Sequence, residues 1–368
     1  MPEDEKFWNP YRLIRIRPEM KRKKPVTDEK FIGISGFIHC TLENLTPLFI
    51  GGNRNYKQQF LTSQGKSIIP GSSLKGMLRS LVEVVGGGCF IIERDRNNEC
   101  NYDQTYDACK RIDSLCIACR MFGMMERGTN ARVHRGKISI GDGVMENEKP
   151  GTAKFDVYLA NNGTGHVPFY LSPGSGRLDG NVQKLYFHQP ARKDSVPAIP
   201  ANIRERQTIT RIHALMPGHT FRFTLQFSNL VKEELELLVY CLALEPHVEV
   251  IIQSGELQLK GPLRHKIGYA KPLGLGSCHI SITSLIYLDD PKQRFASLQH
   301  QGETLMQGEA LEKEISRLTQ KITNDRSPTM EQLRKMLVWD EADPRVFRYP
   351  DYNWFRDTQN SQKKLKKL

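Results

Sequence analysis

Residues 219–244 read HTFRFTLQFSNLVKEELELLVYCLAL, and the two halves of this stretch obey different periods. In the first half Phe221, Phe223, Leu225 and Phe227 alternate with Arg222, Thr224 and Gln226. Side chains of a strand point to opposite faces in turn, so His219 to Phe227 is a strand with one apolar and one polar face. From Lys232 to Leu244 the spacing becomes helical. Glu233, Glu234 and Glu236 lie near the start of that helix, where the macrodipole favours negative charge.

Working outward, a second alternating strand follows a Gly-rich turn, with Cys278, Ile280, Ile282, Ile286 and Leu288 as its apolar positions. Upstream, strand-like sequence runs from Ile32 through Phe37, Ile38 and Leu42 to Phe49 and Ile50. A helix comes next, its apolar stripe formed by Leu74, Met77, Leu78, Leu81, Val82 and Val85, with Ser72 or Ser73 as N-cap. Lys137 to Ile140 is a short strand. The order strand, helix, strand, strand, helix, strand predicts an α+β fold with an RRM-like, ferredoxin-like (βαββαβ) core. On this reading residues 1–30 are an extended basic arm and 31–288 the core unit. It carries a zinc-binding insertion at 86–135 and a second, irregular insertion at 143–215. Residues 289–368 form a helical, basic tail, with a helix around Leu311 to Ile322.

Three local patterns carry chemistry. At Pro70-Gly71-Ser72-Ser73-Leu74-Lys75-Gly76-Met77-Leu78-Arg79, unpaired amides, two hydroxyls and two cations gather at a helix start, as phosphate requires; an ordinary capped amphipathic helix is the bland alternative. The run Gly268 to Ser277, with Lys271, Gly274 and Gly276, lets backbone approach a ligand closely, although a plain tight turn has the same look. Five of the eight cysteines fall between positions 89 and 119. The Cys116-x-x-Cys119 pair can share one ion, and Cys109 and Cys100 would close a tetrahedral structural zinc site, with Cys89 or His134 as substitutes for Cys100.

The bulk numbers set the context. A formal charge of +12 on 368 residues favours a polyanionic partner, because each cation set against a phosphate releases a counterion. The acidic, polar start and the lack of a long apolar run argue against a signal peptide or a spanning helix. We therefore expect a cytoplasmic protein without a membrane partner. Reducing cytosol in turn favours metal binding over disulfides.

Taken together, these residues resemble the RAMP superfamily of CRISPR-associated proteins, in particular backbone subunits of type III effector complexes. The resemblance runs over about 31–288. It rests on Ile69-Pro70-Gly71-Ser72-Ser73-Leu74-Lys75-Gly76 with Leu78-Arg79, on Cys116-x-x-Cys119 followed by Met121-Phe122-Gly123, on Gly136 to Asp142, on Arg204 to Phe227, and on the glycine-rich loop. Phe7 to Tyr11 and Tyr349-Pro350 are similar to a subset of the family. The resemblance implies a palm that holds guide RNA, inserted elements that wedge between guide and target RNA, and stacking with other effector subunits. Ser72, Ser73, Lys75 and Arg79 would line one side of the guide RNA and Lys271, Gly274 and Gly276 the other, with Arg54 and Lys57 next in order.

Related subunits that cut target RNA carry an Asp in the loop after the first strand. Here that loop, Ile50 to Phe60, has no carboxylate, nor has any position between Glu43 and Glu83, so a divalent ion such as Mg²⁺ lacks its usual oxygen ligand there. Arg54 and Lys57 could grip phosphate and Tyr56 could stack on a base. The alternative is a RAMP endoribonuclease acting on target RNA or guide precursor, with His39, His134, His188 or His213 as base and Asp142 or Asp156 brought in from an insertion.

Overall fold

The structure is a computed structural model that describes residues 8–18, 20–27, 29–51, 58–89, 100–101, 104–146, 151–159, 166–171, 178–179, 182–192, 194–197, 209–252, 257–289, 302–350, 352–365 and 368. Its centre is an antiparallel sheet. In chain order the core elements are β1 (Ile34–Asn44), α1 (Gly71–Gly86), α2 (Ile117–Phe122), β2 (Ile138–Ile140), β3 (Gly143–Met145), β4 (Thr220–Leu230), α3 (Lys232–Ala243) and β5 (Ser277–Leu288). Across the sheet the order is β5, β1, β4, and then β2 and β3 side by side against β4. Counted without α2 and with β2 and β3 as one interrupted strand, this is the ferredoxin-like arrangement, in which the first and third strands are central.

Register explains the layering. Leu225, Ile38 and Leu285 form one row across β4, β1 and β5, Phe223, Cys40 and Ile282 the next, and Phe221, Leu42 and Ile280 the third. All but the half-buried Ile282 are buried, and α1 and α3 cover the sheet. Leu74, Leu78, Leu81, Val82 and Val85 of α1 and Leu235, Leu238 and Leu242 of α3 supply the covering layer. Each fully buried side chain of this size contributes roughly 1.5–3 kcal/mol. The opposite face carries Phe37, His39, Thr41 and Glu43 of β1, Arg222, Thr224 and Gln226 of β4, and His279 and Ser281 of β5, all at least partly exposed.

Several local expectations need correction. Pro70, not Ser72 or Ser73, is the residue before the first turn of α1, and its own side chain makes no capping hydrogen bond; both serines lie inside the helix. The irregular stretch up to about 206 contains Thr152–Tyr158, which pairs antiparallel with Ile209–Leu215. It also contains Val182–Tyr186, which pairs antiparallel with Tyr11–Arg15. The basic arm is thus partly built into the body: Trp8 packs edge-on against Phe187 and bridges to Phe347. The tail holds two successive amphipathic helices, α4 (Gly308–Thr323) and α5 (Pro328–Leu337). Among the described residues no helix is long and apolar enough to cross a membrane.

Candidate metal centre and nucleic-acid interface

The end of α1 delivers the first cysteine of a candidate metal site. Gly87 takes a left-handed conformation (φ 71°) that ends the helix, and Cys89 follows two residues later. Cys116 is the N-cap of α2 and Cys119 lies one turn further on. With Cys109 they form a buried group whose four sulfurs all lie within 4.8 Å of one another; Cys89 Sγ and Cys119 Sγ are 3.5 Å apart. Backbone amides support the sulfurs: Cys89 N donates to Cys116 Sγ at 3.3 Å and Cys116 N to Cys109 Sγ at 3.2 Å. Such donors stabilise thiolates. Hydrogen bonds from Cys116, Cys119 and Cys89 push the Cys109 thiol down, whereas the Cys119 thiol is pushed up, first by Cys109. Four thiolates this close repel unless a cation sits among them, and four soft donors at one centre fit a single tetrahedral ion.

Among the described residues the cysteine that completes the group is Cys89, one of the two substitutes for Cys100; the side chain of Cys100 lies outside the described residues. The backbone of Cys100 belongs to a short strand, Cys100–Asn101, that pairs in parallel with Leu178–Asp179. His134 is also outside the group; its Nε2 lies 3.0 Å from the Arg120 carbonyl oxygen. Arg79 turns toward the metal centre: Nε binds Glu83 Oε1 at 2.9 Å and Nη2 lies 3.8 Å from Cys119 Sγ.

The start of α1 is less open than its sequence implies. Gly71 N donates to Asp142 Oδ1 at 2.8 Å, and Ser73 N and Leu74 N both donate to the Pro70 carbonyl oxygen. A carboxylate already complements the helix dipole there, which works against a phosphate end-on. What remains outward is the side of the helix: Ser72 and Gly76 are exposed, and Ser73 and Lys75 are partly so. Lys75 Nζ donates to the Ile138 carbonyl oxygen at 2.9 Å, and partial burial, with Arg79 nearby, lowers its pKa.

The glycine-rich loop also keeps its amides to itself. Gly274 N donates to Lys271 O and Gly276 N to Pro47 O, so neither faces a ligand. Gly276 serves close packing instead, since a Cβ there would sit 1.8 Å from the Ile267 carbonyl oxygen. Lys271 is half-buried, which lowers its pKa. Arg54 and Lys57 lie outside the described residues.

The histidine candidates separate. Both ring nitrogens of His188 are engaged, Nδ1 with Ser277 Oγ at 2.9 Å and Nε2 with the Arg264 carbonyl at 3.1 Å, and burial drives its pKa well down. It is a packed core residue. His213 is held through its backbone amide to Gln58 O. Asp156 pairs with Arg211 on the outside of the Thr152–Tyr158 ribbon. His39 is different: Nδ1 meets Thr224 Oγ1 at 2.9 Å and the ring lines a cavity on the open face of the sheet.

Two features escaped the sequence. Glu234 is buried and pairs with Arg120 Nε at 2.8 Å and Lys137 Nζ at 2.9 Å, locking α3 to α2 and to the entry of β2. Lys266 donates to Ser277 Oγ at 3.2 Å and to Gly274 O at 3.4 Å, and burial lowers its pKa to about 7. No local spacing announces either: the partners of Glu234 are about a hundred residues away, and Lys266 meets its partners through the fold of the glycine-rich loop.

No curated protein matches the sequence. Residues 41–278, well over half of the chain and running from the end of β1 to the start of β5, match the RAMP superfamily. The chain therefore belongs to the RAMP superfamily and has the CRISPR-associated, RNA-binding role of that superfamily.

Proposed function

We propose that the chain is a guide-RNA-holding backbone subunit of a type III CRISPR effector complex. The carrying observation is that the family match covers α1, β2, β3, β4 and α3 of the ferredoxin-like unit, from the end of β1 to the start of β5. The charge of +12 supports a polyanionic ligand. Guide RNA is held by shape and charge, with pairing left to read the target. The outward side of α1 is the first contact: Ser72, Ser73 and Lys75 reach phosphate and sugar, and Gly76 keeps the helix surface low. Lys271 contributes from the glycine-rich loop, while Gly274 and Gly276 shape that loop. Arg79 serves the metal centre.

The four-cysteine centre holds zinc in a structural role, since protein sulfurs fill all four positions and leave none for a reactive water. Bound there, the ion ties the end of α1 to α2. The segment that carries the catalytic Asp in nucleolytic relatives has none here, which supports holding over cutting.

The test is RNA retention. Purified Ser72→Glu/Lys75→Glu protein should lose co-purifying small RNA while melting like the wild type. Unchanged retention in a folded variant would move the interface away from α1.

A further inference from the structure

On the sheet face away from α1 and α3 lies a cavity of about 560 Å³. Its floor follows from strand register. Thr224, His39 and Ser284 form one row across β4, β1 and β5, and Arg222 and Thr41 the next across β4 and β1. The register of β5 shifts between Ile282 and Ser284, opposite this point. Such a bulge re-aims side chains: Thr283 Oγ1 turns to donate to the His39 carbonyl oxygen at 3.1 Å, and both Thr283 and Ser284 line the cavity. Asp142 closes one wall, with Oδ1 held by the Gly71 amide.

The chemistry of this lining is selective. Among the described lining residues the one lysine or arginine, Arg222, is already paired with Glu146, and the Asp142 carboxylate repels a phosphate. Among the described lining residues no phenyl, phenol or indole ring offers a platform for a base, because Phe223 turns its side chain into the core on the opposite face. What remains is a set of hydroxyls, an imidazole and a carboxylate oxygen, which together accept and donate hydrogen bonds to neutral hydroxyl groups. His39 presents Nε2, its Nδ1 being fixed by Thr224.

We propose that this cavity is a ribose subsite: it takes one sugar of a single-stranded RNA, with the 2′-hydroxyl hydrogen-bonded to His39 and Thr41. The proposal rests on the RNA-binding reading and adds to it a means of telling RNA from DNA, for which the 2′-hydroxyl is the distinguishing group. It also places RNA on a second surface, across the sheet from the outward side of α1.

The test uses full-length protein and fluorescence anisotropy with labelled 12-nucleotide single strands of one sequence, made as RNA, DNA and 2′-O-methyl RNA. Wild type should prefer RNA over both others by about tenfold. His39→Ala and Thr41→Val, which leave the apolar face of the sheet intact, should each bring that ratio toward one with DNA affinity unchanged. Adenosine at millimolar concentration should not displace the RNA; displacement would assign the cavity to a free nucleoside instead of a strand. A ratio that survives both substitutions overturns the subsite and leaves the RNA-binding reading standing. Absence of RNA binding by folded wild type overturns both.

Discussion

The Asp142 carboxylate lies 2.8 Å from the Gly71 amide nitrogen, so the turn between β2 and β3 caps α1 from 71 residues away in sequence. Gly71 must be glycine for this to happen, because a Cβ there would sit 2.1 Å from the Ile140 carbonyl oxygen. Asp142→Ala leaves the amide unpaired and should lower stability by about 1–2 kcal/mol in urea unfolding. Asp142→Asn keeps an acceptor and should recover most of that loss. Equal effects of the two substitutions would show that the hydrogen bond is not what the carboxylate provides.

Metal content gives a sharper prediction. The wild type should carry one zinc per chain by elemental analysis. Cys89→Ser and Cys109→Ser should each abolish it, and a strong chelator should lower the melting temperature of the wild type. Cys100→Ser should leave both metal content and melting unchanged. A zinc content lost in Cys100→Ser and kept in Cys89→Ser would reverse the ligand assignment.

Glu234 is paired with two cations where almost no water reaches, its side chain being 1% exposed. Removing one partner of such a network leaves the others charged and uncompensated. Glu234→Ala should therefore cost about 3–5 kcal/mol, measured by denaturant unfolding. A loss near zero would mean that Glu233, which already holds Arg120 Nη2 at 2.7 Å, compensates Arg120 by itself and that Lys137 finds another partner.

Lys266 should make stability depend on pH in a defined window. An unfolded lysine keeps its proton to about pH 10.4, whereas the folded one releases it near pH 7 because burial disfavours the charge. Below pH 7 both states hold the proton and the burial penalty is complete. Between the two values the unfolded state binds more protons, so stability rises with pH; above both, the penalty is gone. Lys266→Met should thus be more stable than wild type by on the order of 2–4 kcal/mol at pH 6, with the gap closing toward pH 10. A gap that does not vary with pH would show that the side chain reaches water in the folded protein.

The legible part of this molecule is the part written in local periods. Alternation at Phe221 to Phe227 and helical spacing at Leu74 to Val85 place β4 and α1, and the order of elements predicts the sheet that β1, β4 and β5 form. Cys116 and Cys119 are legible because one turn of helix α2 joins them. The choice of Cys89 over Cys100 is not, since it depends on where α1 ends relative to α2. The amides of Gly274 and Gly276 look free in sequence because Pro47, one of their acceptors, lies far upstream. The same distance hides Asp142 at the start of α1. It also hides the strands between 143 and 215, whose partners are Tyr11–Arg15 and Ile209–Leu215.

Whether this chain holds RNA along the outward side of α1 is decided by the affinity of the purified protein for single-stranded RNA across a salt series. The wild type should weaken steadily as salt rises, as counterion release demands. Ser72→Glu/Lys75→Glu should bind about tenfold more weakly at low salt, with a shallower salt dependence. Affinity and salt slope equal to the wild type in a folded double variant would contradict the claim.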